Sequence, residues 1–124
     1  MATVLIVEDN AANMSLATFL VHSAGHDVLT ATDAETGLNL ARAHLPDLIF
    51  MDIQLPGMDG LVAIGVLKSS PLTRDIPVIA LTALAMKGDE ERIRAAGCEG
   101  YIAKPMRYKD FLSTMARHLV AVAR

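Results

Sequence analysis

The sequence predicts a single α/β domain on a parallel five-stranded sheet, and three observations predict it. Apolar runs of three to five residues recur near residues 3–7, 27–31, 47–51, 77–81 and 99–103. The stretches between and after them hold helical patterns of roughly ten to fifteen residues, the alternation expected of βαβ units. Finally, Asp9, Asp52, Thr82 and Lys104 each stand where such a run stops. In parallel strands all four emerge at one sheet edge, the edge at which open α/β sheets bind ligands.

The elements follow in order. The first run, at 3–7, ends in the acidic pair Glu8-Asp9. A first helix is expected over about 11–24, with Leu16, Ala17, Leu20 and Ala24 as its core stripe and Gly25 as its stop. The second helix, about 34–44, starts from Asp33 as cap. It ends before Pro46, because the residue preceding a proline is pushed out of the helical region. The third, about 59–69, carries Leu61, Ile64 and Leu67 at helical spacing. The fourth, about 86–96, is the weakest: Gly88 lies in its first turn and Gly97 closes it. Its acidic trio Asp89-Glu90-Glu91 suits the positive N-terminal end of a helix. The fifth, about 107–122, presents Phe111, Met115, Leu119 and Val122 to the core. Right-handed crossovers leave few topologies, and the common five-strand solution has the order 2-1-3-4-5 with its switch point between strands 1 and 3. Those strands end in Asp9 and Asp52, so topology by itself brings the two carboxylates side by side.

Bulk properties narrow the function classes. The 124 residues suit one domain, 1–124, with a core of ordinary size. Hydrophobic content is 52% with 4% aromatic, so that core is aliphatic. A net charge of −3 without a basic stripe argues against direct nucleic-acid binding. The lone Cys98 forms no internal disulfide and reads as a small buried hydrophobe, which fits a reducing compartment. No window approaches ~18 consecutive apolar residues and no charged leader precedes Thr3, so a cytoplasmic location without signal peptide or membrane span is expected. His22, His26, His44 and His118 are scattered without ligand spacing.

The edge residues suggest phosphoryl chemistry. Carboxylates at Glu8, Asp9 and Asp52 repel one another unless a cation or proton intervenes. Mg2+ is the natural answer, a hard ion with oxygen ligands that is often shared with phosphate. Asp52 is the candidate nucleophile, since an Asp carboxylate can accept a phosphoryl group as an acyl phosphate. Lys104 offsets charge on the transferring group, and the Thr82 hydroxyl is placed to donate to one of its oxygens. Pro105 makes the Lys104–Pro105 bond a candidate cis peptide. Each residue also has a plainer role: Glu8-Asp9 as a cap of the first helix, Asp52 and Thr82 as caps or turn residues, Lys104 as a solvated loop lysine. On the first helix Met14, Thr18 and Val21 fall together, about 100° from the core stripe, and form a candidate docking face for a partner helix.

Four segments together resemble receiver domains of two-component response regulators: Val4-Leu5-Ile6-Val7-Glu8-Asp9-Asn10, Met51-Asp52-Ile53-Gln54-Leu55-Pro56-Gly57-Met58-Asp59-Gly60, Leu81-Thr82-Ala83 and Tyr101-Ile102-Ala103-Lys104-Pro105. The likeness runs through the whole chain in order and spacing. It implies a flavodoxin-like (βα)5 three-layer sandwich and a regulatory phosphoacceptor, with self-phosphotransfer and autodephosphorylation as its only chemistry. By the same resemblance, Asp52 takes a phosphoryl group from a phosphohistidine on a sensor histidine kinase or phosphotransfer protein. Mg2+, for which Mn2+ substitutes, is held by Asp9, Asp52 and the Gln54 carbonyl, with Glu8 acting through water. Lys104 and Ala83 contact the phosphoryl group, Thr82 and Tyr101 form the switch, and Gln54 and Leu84 tune hydrolysis. The surface of the fourth helix, fifth strand and fifth helix then changes its contacts with a downstream protein. The stretch from Ala85 to Glu99 is similar to single-domain regulators of the DivK cell-division type and to receivers attached to hybrid histidine kinases, so a stand-alone regulator and an excised receiver module both remain open.

Three other readings compete. An aspartyl-phosphate phosphatase of the haloacid-dehalogenase type carries a second Asp two residues after its nucleophile, where this chain has Gln54. A flavodoxin-like flavin binder needs a Ser, Thr and Gly-rich phosphate loop after the first strand, where Glu8-Asp9-Asn10 would repel phosphate. A pseudo-receiver would lack site residues that are all present here.

Overall fold

The computed structural model describes residues 2–83 and 87–119, apart from the side chains of Lys87 and Asp89. Strands and helices alternate as β1 (Thr3–Val7), α1 (Ala11–Ser23), β2 (Asp27–Ala31), α2 (Ala34–His44), β3 (Leu48–Asp52), α3 (Gly60–Ser69), β4 (Val78–Thr82), α4 (Lys87–Ala95), β5 (Gly100–Ala103) and α5 (Tyr108–His118). The five strands form one parallel sheet in the order β2-β1-β3-β4-β5, as expected. The last three strands begin one residue later than the apolar runs suggest, so Asp52 and Thr82 are the final residues of their strands rather than the first beyond them.

The sheet is buried on both faces, which is why β1, β3 and β4 are almost continuously apolar. Alternation along each strand divides the core in two. One cluster joins Leu5, Val7, Ile49, Met51, Val78 and Ala80 to α2, α3 and Ile93 of α4. The other joins Val4, Ile6, Phe50, Ile79, Leu81 and Ile102 to α1 and α5. Phe50 and Phe111 stack there with ring centroids 4.3 Å apart, fixing α5 to the middle of the sheet.

Helix ends follow local chemistry. Asn10, Asp33 and Asp59 cap α1, α2 and α3, each side chain accepting from a backbone N–H two or three residues on. The cap of α1 is therefore Asn10 and not the Glu8-Asp9 pair. Gly60 opens α3 against β3 so closely that a Cβ would collide with the Asp52 carbonyl oxygen. No larger residue fits there, and this contact seats α3 on the end of the strand that carries Asp52.

The phase of α1 departs from the expectation. Ala17, Leu20 and Val21 are buried, whereas Leu16 and Ala24 lie on the exposed side. The candidate docking face of Met14, Thr18 and Val21 is corrected with it: Val21 is fully buried and Met14 packs against the second core cluster. The physical reason is that α1 has no Asp, Glu, Lys or Arg and its apolar residues fall on every side of the helix. Hydrophobic spacing then marks no solvent side. Cys98 is only half-buried, packed at the edge of the first cluster. Val122, assigned to the core of the fifth helix, lies outside the described residues, as does Leu84.

Candidate functional site

The site lies at the carboxyl edge of the sheet, over its centre. Glu8 follows Ile6 by two residues, Asp52 follows Phe50 by two and Lys104 follows Ile102 by two, and all three predecessors belong to the α1/α5 core. Strand parity therefore turns the three side chains toward one another. The Lys104 ammonium lies 2.9 Å from Asp52 Oδ2 and 2.8 Å from Glu8 Oε1. Asp52 Oδ1 accepts from the Gln54 backbone N–H at 2.9 Å, and Glu8 Oε2 from that of Asn10 at 3.4 Å. Glu8 Oε1 is buried without an aligned hydrogen bond. Asp9 is the solvent-facing member: one oxygen from each of Glu8, Asp9 and Asp52 falls within a span of 4.8 Å.

Titration preferences reflect this crowding. Burial, and after it the neighbouring Asp52 carboxylate, pushes the Glu8 carboxyl up to about 7, with Lys104 opposing. Burial acts on Asp52 in the same direction, but contacts with Glu8, Lys104 and the Gln54 N–H outweigh it and hold Asp52 below the usual carboxylate range. Burial also works against the Lys104 charge, yet the two carboxylates more than offset it and raise its affinity for a proton. Near neutral pH the nucleophile candidate is therefore ionised, while Glu8 is poised between its two forms.

The remaining predicted residues surround this centre. Thr82 is fully buried at the end of β4, and its carbonyl accepts from the Lys104 N–H at 2.7 Å, tying the β4 and β5 ends together. Ala83 and Gln54 are exposed beside it. Tyr101 pairs in register with Ala80 and is half-buried against the α2–α4 face of the core. The Lys104–Pro105 peptide is cis. A cleft of about 480 Å³ runs between β5 and α5, lined by Tyr101, Lys104, Arg107, Asp110, Thr114 and Arg117 among others. The direct Glu8–Lys104 ion pair was not anticipated from sequence, although the shared strand parity of Glu8, Asp52 and Lys104 carries the signal for it.

The residues fit a divalent ion. Three carboxylates gather their oxygens within 4.8 Å of one another with one ammonium, that of Lys104, to offset them, and such a hard all-oxygen donor set suits Mg2+.

Known proteins place this arrangement. The chain is 50% identical over 117 residues to the polar-differentiation response regulator DivK of Brucella anthropi, covering 94% of this chain and 95% of that one. The DivK of Brucella ovis matches to the same extent. Among solved structures, the chemotaxis response regulator CheY4 of Vibrio cholerae superposes with a TM-score of 0.90 at 27% identity, over 96% of this chain and 99% of that one. The receiver domain of a sensor histidine kinase from Pseudomonas aeruginosa, which has a magnesium ion coordinated in its active-site cleft, superposes with a TM-score of 0.89 at 32% identity, over 96% and 98%. The family model of the response regulator receiver domain matches residues 4–116. With fold, acidic cluster and sequence in agreement, the chain belongs to the response regulator receiver domains of two-component systems, and within them resembles the DivK regulators.

Proposed function

We propose that Asp52 is the phosphoacceptor and that residues 1–124 act as one receiver unit. The observation that supports this reading best is the environment of Asp52: a buried carboxylate, held ionised at the switch point of the sheet, with an ammonium 2.9 Å away and two further carboxylates beside it. An Asp52 oxygen attacks the phosphorus of a phosphohistidine on a histidine kinase or phosphotransfer protein. The P–N bond breaks, the imidazole leaves with the bonding pair, and an acyl phosphate remains. Asp9, Asp52 and the Gln54 carbonyl would hold Mg2+, with Glu8 contributing through water, and the bound ion would supply positive charge against the phosphoryl oxygens. Lys104 gives up its ion pair with Asp52 for the phosphoryl oxygens, and the backbone N–H of Ala83 donates to them. Hydrolysis of the acyl phosphate, with Gln54 beside the path of water, resets the domain.

Thr82 and Tyr101 convert that event into a signal. Thr82 is buried one strand from Asp52, and Tyr101 is half-buried on the next strand, against the face of the core that α4 covers. As the Thr82 hydroxyl turns toward the phosphoryl group, the Tyr101 ring moves in, and the surface of α4, β5 and α5 changes for a downstream protein. Beryllium trifluoride with Mg2+, standing in for the phosphoryl group, tests this by amide chemical shifts. Changes reaching Tyr101 and α5 are expected; changes confined to the neighbours of Asp52 would overturn the switch.

A further inference from the structure

Helix α4 is lightly attached. Of its described side chains only Ile93 is buried. Its C-terminal end, in contrast, runs into a dense polar clamp at the amino edge of the sheet. Gly97 there has φ +105° and lies so close to the Lys68 stem that a Cβ would sit 2.9 Å from Lys68 Cγ. The Lys68 ammonium reaches the carbonyls of Arg74 at 3.2 Å and Ile76 at 2.8 Å, and Glu99 Oε2 at 2.9 Å. An ammonium has three donors, so its capacity is filled. Glu99 Oε1 accepts from the Val78 N–H at 2.7 Å, and the Glu99 N–H donates to the Val78 carbonyl at 3.0 Å. One ion pair thus joins the end of α3, the 70–77 loop, the start of β4 and the turn from α4 into β5. Partly exposed ion pairs add little to global stability, so the structural consequence of this one is positional.

We propose that the Lys68–Glu99 clamp is the fixed pivot of α4: it holds the helix's amino-edge end, so that phosphorylation displaces only the end of α4 nearest Asp52 and the part of β5 beyond Gly100. The proposal rests on the switch reading above. Its test is hydrogen exchange on the full chain for wild type, Glu99→Gln, Lys68→Met and the double variant, with and without Mg2+ and beryllium trifluoride. Without the phosphoryl mimic, amides of residues 93–99 should exchange roughly fivefold faster in either single variant, while 4–7 and 48–51 stay as they were. The double variant should add nothing further, as expected for two halves of one contact. With the mimic, the wild-type response should stop short of Ala95, and in the variants it should run on through Cys98.

Unchanged exchange at 93–99 would overturn the pivot, and so would equal acceleration everywhere, the mark of ordinary destabilisation. A wild-type response that already includes Gly97–Glu99 would overturn it too. A wild type with no response in α4 at all would overturn the switch reading itself and the pivot with it.

Discussion

Glu8 is packed between a carboxylate and an ammonium at an edge that must open to solvent and ligand, and a pH dependence follows. Its folded-state affinity for a proton is raised, so its contribution to stability is full below the ordinary value of 4.5 and is lost as pH rises to about 7. The loss across that window is on the order of 3 kcal/mol. Glu8→Gln should flatten urea-unfolding stability between pH 5 and 8 in the absence of divalent ions; a slope equal to wild type would refute the assignment. Asp52 works with the opposite sign, its contribution being present above its ordinary range and lost only as pH falls into acid. Lys104→Met removes the shared partner of two buried carboxyls, so it should cost more stability at pH 8 than at pH 5 in the same unfolding experiment. At this scale the sequence was legible where chemistry is punctuated: Asp9, Asp52, Thr82 and Lys104 each end an apolar run. Glu8 was harder to assign, because adjacent residues of a strand end look alike until the register decides which one turns inward.

Elements were legible in proportion to their charge contrast. Helix α5 carries Lys109, Asp110 and Arg117 on its exposed side, and Phe111 and Met115, with Leu119 just beyond its end, are buried as the spacing requires. Helix α1 has no charged residue to mark its wet side, so its phase came only from packing, and Leu16 and Phe19 face outward instead of Val21. Two substitutions test how elements hold the site. Phe111→Ala removes the stacked partner of Phe50 and should cost about 3–5 kcal/mol in thermal or chemical unfolding, with α5 amides losing protection first. Gly60→Ala forces a methyl group into the backbone at Asp52. It should destabilise by roughly 1–3 kcal/mol or more and reduce phosphoryl uptake, although residue 60 touches no ligand. Normal stability in either variant would show that these contacts can relax, against the packing described here.

At the scale of the molecule, strand order does most of the work. The order β2-β1-β3-β4-β5 makes β1 and β3 neighbours, and only that adjacency turns separate acidic residues into one site. Crossover handedness made the order accessible from sequence alone. The attachment of α4 was not, because it depends on Lys68 and Glu99, which are far apart in the chain and carry no local signature. Because the acidic cluster exists only in the folded chain, Mg2+ should raise the melting temperature by mass action. The shift should grow from pH 5 to pH 8 as Glu8 ionises and should largely vanish in Asp9→Asn. A shift that persists undiminished in that variant would place the ion elsewhere.

The central claim is that Asp52 accepts a phosphoryl group in a Mg2+-dependent site. Intact mass after incubation with acetyl phosphate tests it most directly, comparing wild type with Asp52→Asn, with and without Mg2+. The expected result is one phosphoryl group on the wild type only, present with Mg2+ and absent without it. A phosphoryl group gained by folded Asp52→Asn, or by wild type without a divalent ion, would contradict the account.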